Sequence, residues 1–204
     1  MHARTQPLGL SSTYDFVSCQ FALHYAWGTE ADALQALRNA ADVLRPGGAI
    51  VLTFPDAERI VELLFKVIER PDDHNYSRRE GATVVYRVGG PRHYMEFRTE
   101  LPLLDFVQSF QTQPFGQRYI YHQEGAVLGV PEYMVEPGHL RDMASSLGLR
   151  VALDENFAAF KHRDPRLARR MGAHPHMASE PDAITRLYRA MVLTSGRKRV
   201  REED

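Results

Sequence analysis

The chain has 204 residues, of which 44% are hydrophobic and 25% charged, and its formal net charge is −1. That length suits one globular domain rather than two full ones, and the near-neutral balance excludes a molecule that grips a long polyanion over its whole surface, while leaving a local basic groove open. One cysteine, Cys19, excludes an internal disulfide framework; Met1-His2-Ala3-Arg4-Thr5-Gln6 has no apolar signal-type stretch, and no apolar run approaches the roughly 20 residues that span a bilayer. The expectation is an intracellular chain with no membrane among its partners.

Hydropathy predicts a buried strand over 14–19, then a helix opened by Thr29 with Glu30 and Asp32 in its first turn and Leu34, Leu37, Ala41 and Leu44 at helical spacing. Arg45-Pro46-Gly47-Gly48 stops that helix, and 49–54 is a second short apolar strand, expected to run parallel to the first. Pro55-Asp56 ends it and caps a further helix whose stripe Ile60, Leu63, Leu64, Val67 and Ile68 is broken at Pro71. Such alternation brings the carboxyl ends of both strands, near 20–25 and 54–56, to one sheet edge, where an open α/β sheet takes its ligand.

Residues 71–81 read as polar and turn-like, whereas 82–88 and 92–98 are β-prone runs joined by Gly89-Gly90-Pro91, the pattern of a hairpin. A loop-like stretch around 111–116 precedes a strand over 117–123; a helix follows over 138–147 and a strand over 149–153. Lys161 opens a basic, helix-like run to Arg170, then come a turn-rich segment with His174 and His176 and a last strand over 187–193. The organisation is one catalytic domain over 1–194 and a charged tail over 195–204 of the composition that stays disordered.

Ser18-Cys19-Gln20-Phe21-Ala22-Leu23-His24-Tyr25 resembles the signature of the mRNA cap (guanine-N7) methyltransferase family. Leu37-Arg38-Asn39-Ala40, Leu44-Arg45-Pro46-Gly47-Gly48, Thr53-Phe54-Pro55-Asp56, and Glu124-Gly125-Ala126-Val127 with Val130-Pro131-Glu132-Tyr133 follow in the family's order, around an insertion over 87–110. A strand followed by Arg-Pro-Gly-Gly is common to many methyltransferases; Gln-Phe-x-x-His-Tyr combined with a distant Pro-Glu-Tyr is far more restrictive. The resemblance implies an α/β, class I (Rossmann-like) methyltransferase fold with an added β excursion around 82–123. It covers the family's C-terminal two-thirds only. The glycine-rich turn and the acidic residue that hold the cofactor have no counterpart, since no Gly-x-Gly occurs anywhere. A fold incomplete at its N-terminus is therefore expected, in a truncated or partial form of the enzyme that lacks an N-terminal segment.

The implied reaction moves a methyl group from S-adenosylmethionine to guanine N7 of the 5′ cap. N7 offers an in-plane lone pair and carries no proton, so no general base is required, no catalytic residue is assigned, and positioning carries the chemistry. A carboxylate suits the guanine edge because it accepts from N1–H and the exocyclic amine and favours the cation formed on N7-alkylation; Glu132 is the candidate. By resemblance His24, Tyr25 and Tyr188 also face the cap guanine, while Gln20 and Phe21 line the adenosylmethionine site, partly through backbone. Plainer readings stand beside these: Glu132 as a surface residue opening a helix after Pro131, Phe21 and Tyr25 as core packing, Tyr188 as a structural tyrosine, and Asp56 as a helix cap.

Asp72-Asp73-His74 and His174-Pro175-His176 lack the spacing of a metal framework, so no metal site is assigned. Arg166, Arg169 and Arg170 are either a solvated face or receivers of RNA phosphates. The implied partner is 5′-capped RNA held by local contact, with a capping-enzyme partner besides. The family and the tail Arg197-Lys198-Arg199-Val200-Arg201 point to the nucleus, and a viral enzyme would act in the cytoplasm. Two other readings of the whole chain are a non-catalytic methyltransferase-like partner subunit and a small-molecule class I methyltransferase.

Overall fold

The computed structural model describes residues 14–163, 166 and 186–196. Two sheets share the work. A mixed four-stranded sheet has the order β1-β2-β9-β8, built from β1 (Tyr14–Gln20), β2 (Leu44–Pro55), β8 (Leu149–Asn156) and β9 (Tyr188–Ser195). An antiparallel five-stranded sheet runs in chain order through β3 (Tyr76–Glu80), β4 (Thr83–Gly89), β5 (His93–Thr99), β6 (Arg118–Gln123) and β7 (Val127–Tyr133). The helices are α1 (Glu30–Asp42), α2 (Ala57–Glu69), α3 (Leu103–Thr112), α4 (Pro137–Ser146) and α5 (Phe157–Arg163). None of the described helices is long and apolar enough to cross a membrane.

The first four elements follow the sequence closely. Thr29 caps α1 by accepting from the Asp32 amide, and Asp56 caps α2 by accepting from the Arg59 amide, which satisfies donors that the first helical turn leaves without partners. β1 and β2 pair in parallel from Phe16 with Ala49 to Gln20 with Thr53. The predicted turn survives as an irregularity inside β2: Tyr14 pairs with Leu44 but Phe16 with Ala49, so residues 45–48 loop out of the ladder at Gly47, where φ is +81°.

The first strand is not buried. It stands at the end of the sheet, and Tyr14 and Phe16 remain half-exposed, because apolar content reports the tendency to be covered and cannot report whether a neighbour exists. Two further expectations change. The segment read as a turn over 71–81 contains β3; Asp72 does make a turn, accepting from the His74 and Asn75 amides at 2.7 Å, but the alternation of Tyr76 and Arg78 then pairs with β4. The loop around 111–116 is present from residue 113, and it follows α3, a helix the sequence pattern did not mark, whose Phe106 and Phe110 pack into the aromatic core. The strand expected over 149–153 continues to Asn156.

Each sheet has its own core. Ile50, Leu52 and Phe54 of β2 and Met191 and Leu193 of β9 meet Leu37 of α1 and Leu140 of α4 on one side. On the other, α2 and α3 lie against the inner face of the antiparallel sheet, where Phe97 contacts Phe106, Phe110 and Tyr119 at ring separations of 5.5 to 6.4 Å. The β excursion thus spans more than 82–123, running from β3 through β7. Residues 167–185, with His174, His176, Arg169 and Arg170, and the tail from 197 lie outside the described residues; Arg166 is exposed.

Candidate functional site

The end of β1 is the first component. Phe21 takes a left-handed backbone (φ 49°), an unfavourable conformation for a side chain with Cβ, and its amide donates to both the carbonyl and the hydroxyl of the buried Thr53 at 3.0 Å. The reversal turns the Phe21 ring toward Tyr188 of β9, 5.0 Å away and nearly perpendicular, and toward Phe157, 6.3 Å away. A 3-10 turn, Leu23–Ala26, comes next. Trp27, wholly buried, anchors it from behind, and Gly28 passes so close to β7 that a Cβ there would lie 3.2 Å from the Tyr133 ring. Any larger residue would require the Tyr133 ring to shift by a few tenths of an ångström.

The anchored turn presses His24 and Tyr25 against Glu132, which β7 delivers from the second sheet. Glu132 is buried in an edge strand, where Pro131 is tolerated because no ladder bond is needed on its outer side. The reading of Glu132 as a surface residue opening a helix is therefore corrected. The Tyr119 phenol donates to Oε2 at 2.5 Å, the Tyr25 phenol donates to Oε1 at 3.0 Å, and His24 Nε2 approaches Oε1 at 3.4 Å. The last is a contact rather than an aligned hydrogen bond, since neither ring nitrogen of His24 has a hydrogen-bond partner among the described residues.

Burial pushes the Glu132 carboxyl up, but the His24 ring and the Tyr119 and Tyr25 hydroxyls together outweigh it and hold the group below its ordinary value. Glu132 is thus a buried, ionised acceptor. The surrounding phenols move the other way: burial first and the Glu132 charge second push Tyr25 up to about 12, and the same causes raise Tyr119 well above the usual phenol range. Tyr188 is raised by burial and by its hydrogen bond to Tyr121. All three hydroxyls stay protonated and able to donate around neutral pH.

Residues 4–180 match the model of the mRNA (guanine-N(7))-methyltransferase domain. The chain belongs to that family. It is 38% identical over 167 residues to mRNA cap guanine-N(7) methyltransferase 1 of rice and 34% identical over 166 residues to the Arabidopsis thaliana protein of the same name; each match covers 78% of this chain and 40% of the relative. The Saccharomyces cerevisiae mRNA cap guanine-N(7) methyltransferase is 35% identical over 150 residues, or 72% of this chain and 30% of that protein. The chain therefore spans less than half the length of these curated relatives. Among solved structures, the CcbJ methyltransferase from Streptomyces caelestis aligns with 94% of this chain and 60% of its own at a TM-score of 0.40 and 16% identity.

Within this cap-methyltransferase domain the structure gathers His24, Tyr25, Glu132 and Tyr188 around one spot, with Phe21 at its rim. Gln20 lies one residue before Phe21 at the carboxyl end of β1, its side chain exposed and its amide donating to the Ser18 hydroxyl at 3.2 Å. Asp56 takes the capping role and more: it accepts from Asn156 at 2.8 Å and faces the Arg189 Nε at 3.2 Å, while Arg189 also donates to Asp154 at 2.8 Å. That buried ionic cluster ties the start of β9, and so Tyr188, to the ends of β2 and β8. Two site residues escape the sequence reading, Tyr119 and Tyr121; their alternation in Arg118-Tyr119-Ile120-Tyr121 was the available signal, since every second residue of β6 must face inward.

Proposed function

We propose that this chain binds the guanine of a 5′-capped mRNA at Glu132 and serves methyl transfer from S-adenosylmethionine to its N7. The observation that carries the reading is the buried, ionised carboxylate with one oxygen held by Tyr119 and the other by Tyr25. Each carboxylate oxygen has two lone pairs, so one on each remains for the parallel N1–H and N2–H donors of guanine. A neutral acceptor would bind the base comparably before and after reaction. A fixed negative charge instead holds it more tightly as positive charge develops on the ring.

His24, buried beside Glu132, and Tyr25, half-exposed, would orient the guanine plane, and Tyr188 would close the side nearest Phe21. Gln20 and Phe21 fit one wall of a cofactor site: they occupy the carboxyl end of a parallel strand, and the Phe21 turn leaves its ring available as an apolar surface. S-adenosylmethionine, when bound there, supplies a sulfonium methyl that the N7 lone pair can attack without prior proton removal. The chain's own residues then have to hold the base in line and exclude water. Action in the nucleus on capped transcripts, alongside a capping-enzyme partner, belongs to the same reading; the names of the plant and yeast relatives support the mRNA cap as the substrate.

Calorimetric titration with the unmethylated cap dinucleotide GpppG tests this proposal. Binding is expected for the unaltered chain and is lost in Glu132→Gln, which keeps the shape and removes the charge. Equal GpppG affinity in the two proteins would overturn the assignment.

A further inference from the structure

The outer face of the antiparallel sheet, opposite its aromatic core, carries a row of side chains that the cap pocket does not use. Tyr76 pairs across β3 and β4 with Arg87, Tyr94 pairs across β5 and β6 with His122, and His122 pairs across to Leu128 on β7. The Arg87 guanidinium lies 3.7 Å from the Tyr94 ring centroid and 5.7 Å from that of Tyr76, and the Tyr94 and His122 rings stack at 4.5 Å and 15°. Gly89, opposite Tyr94, has no side chain to intervene; a Cβ there would fall 2.4 Å from the His93 carbonyl.

The stack ends at an open position. Past His122 the next strand offers Gly129, which has no side chain to lie over the half-buried ring (a Cβ there would sit 3.8 Å from His122 Cε1), and Leu128, which is 84% exposed. An aromatic face on one side and an apolar chain on the other make a slot for a planar base. Positive charge lies alongside. Arg78 and Arg98 are matched by Glu80 and Glu96, but Arg87 and Arg118 form no ion pair among the described residues, and Arg87 Nε and His122 Nε2 are buried without hydrogen-bond partners there.

Unmatched guanidinium charge suits phosphate, and rings in series suit unstacked bases; together they are the chemistry of single-stranded RNA recognition on a sheet. A protein partner would instead need a broad apolar area, and here one leucine is exposed amid polar edges. The position also fits. β6 and β7 carry Tyr119 and Glu132 on the inner face and His122 and Leu128 on the outer one, and β7 is the sheet's edge. A strand whose cap sits at Glu132 can cross that edge and reach His122 within a few nucleotides.

We infer that the outer face of the antiparallel sheet binds the single-stranded RNA that follows the cap, stacking a base on His122 beside Leu128 and meeting phosphates with Arg87 and Arg118. The inference rests on the cap-binding reading, yet the two can fail separately. The test is fluorescence anisotropy of the full chain with a labelled, uncapped oligoadenylate of about ten nucleotides, at two salt concentrations. Binding is expected, weaker at the higher salt, reduced roughly tenfold by His122→Ala and kept by His122→Phe, which retains a stacking ring. Arg87→Gln should flatten the salt dependence. GpppG affinity is expected to be unchanged in His122→Ala, and oligoadenylate affinity unchanged in Glu132→Gln. No binding of uncapped RNA, equal binding by His122→Ala, or full displacement by GpppG would each overturn the inference. So would a His122→Ala effect confined to self-association in sedimentation, which would make this face a protein interface.

Discussion

Phe16 and Phe97 are the same residue type in strands of the same molecule, and their environments are opposite. Phe97 sits in the middle of the antiparallel sheet, fully buried among Phe106, Phe110 and Tyr119. Phe16 sits in the end strand of the mixed sheet and is 54% exposed. The antiparallel sheet packs Tyr119 and Glu132 beside a buried aromatic cluster; the mixed sheet ends, among the described residues, at a strand whose Val17 and Cys19 reach the core while Tyr14 and Phe16 are half-exposed. The pocket draws on both, taking its carboxylate from the first and its rings from the end of the second.

The sharpest way to break this contrast is to truncate the two phenylalanines. Phe97→Ala should cost about 3–5 kcal/mol of unfolding free energy and abolish cap binding, read by denaturant titration; Phe16→Ser should fall within about 0.5 kcal/mol of the unaltered chain. A large loss from Phe16→Ser would show that β1 is covered after all. Next in size is Glu132→Gln, expected to weaken GpppG binding by about 3 kcal/mol, as when one partner of a buried charged hydrogen bond is removed.

Tyr119→Phe leaves Glu132 charged but frees Oε2. Its expected loss is smaller, about 1.5–3 kcal/mol shared between stability and GpppG affinity, and unchanged affinity would make Tyr119 a packing residue only. pH gives the gentlest test. Glu132 is held below its ordinary value, so its contribution is complete above about pH 4.3 and disappears as the pH falls through the lower folded value. GpppG binding should therefore persist to pH 5. Tyr25 behaves in the opposite sense: its neutral form is favoured by the fold, so that contribution is intact below about pH 10 and is lost as the pH rises toward about 12. Absorbance titration of tyrosinate should show several late phenols, and Tyr25→Phe should remove the one that ionises toward about 12.

Much of the site could be read locally. His24 and Tyr25 follow a strand that hydropathy marks, and Thr29 and Asp56 announce their helices because capping depends on a few neighbouring atoms. Glu132 could be singled out as a candidate through the family resemblance, but Pro131 by itself also suits a helix start, and the position of β7 at a sheet edge separates the two. Tyr119 was harder: in sequence it is one alternating aromatic among several, and nothing short-range says that its hydroxyl lies 2.5 Å from a carboxylate on the next strand.

The sequence by itself determined the order of strands, helices and caps over residues 14–70 and the residue types around Glu132, because periodicity and capping are short-range effects. Tertiary structure decided which strands have neighbours, which side of each strand faces in, and how a tyrosine pair and a histidine come to surround one carboxylate. Those depend on pairing between segments far apart in the chain. The segment from Gln20 to Tyr25 could be found by reading; its meeting with Glu132 required the fold.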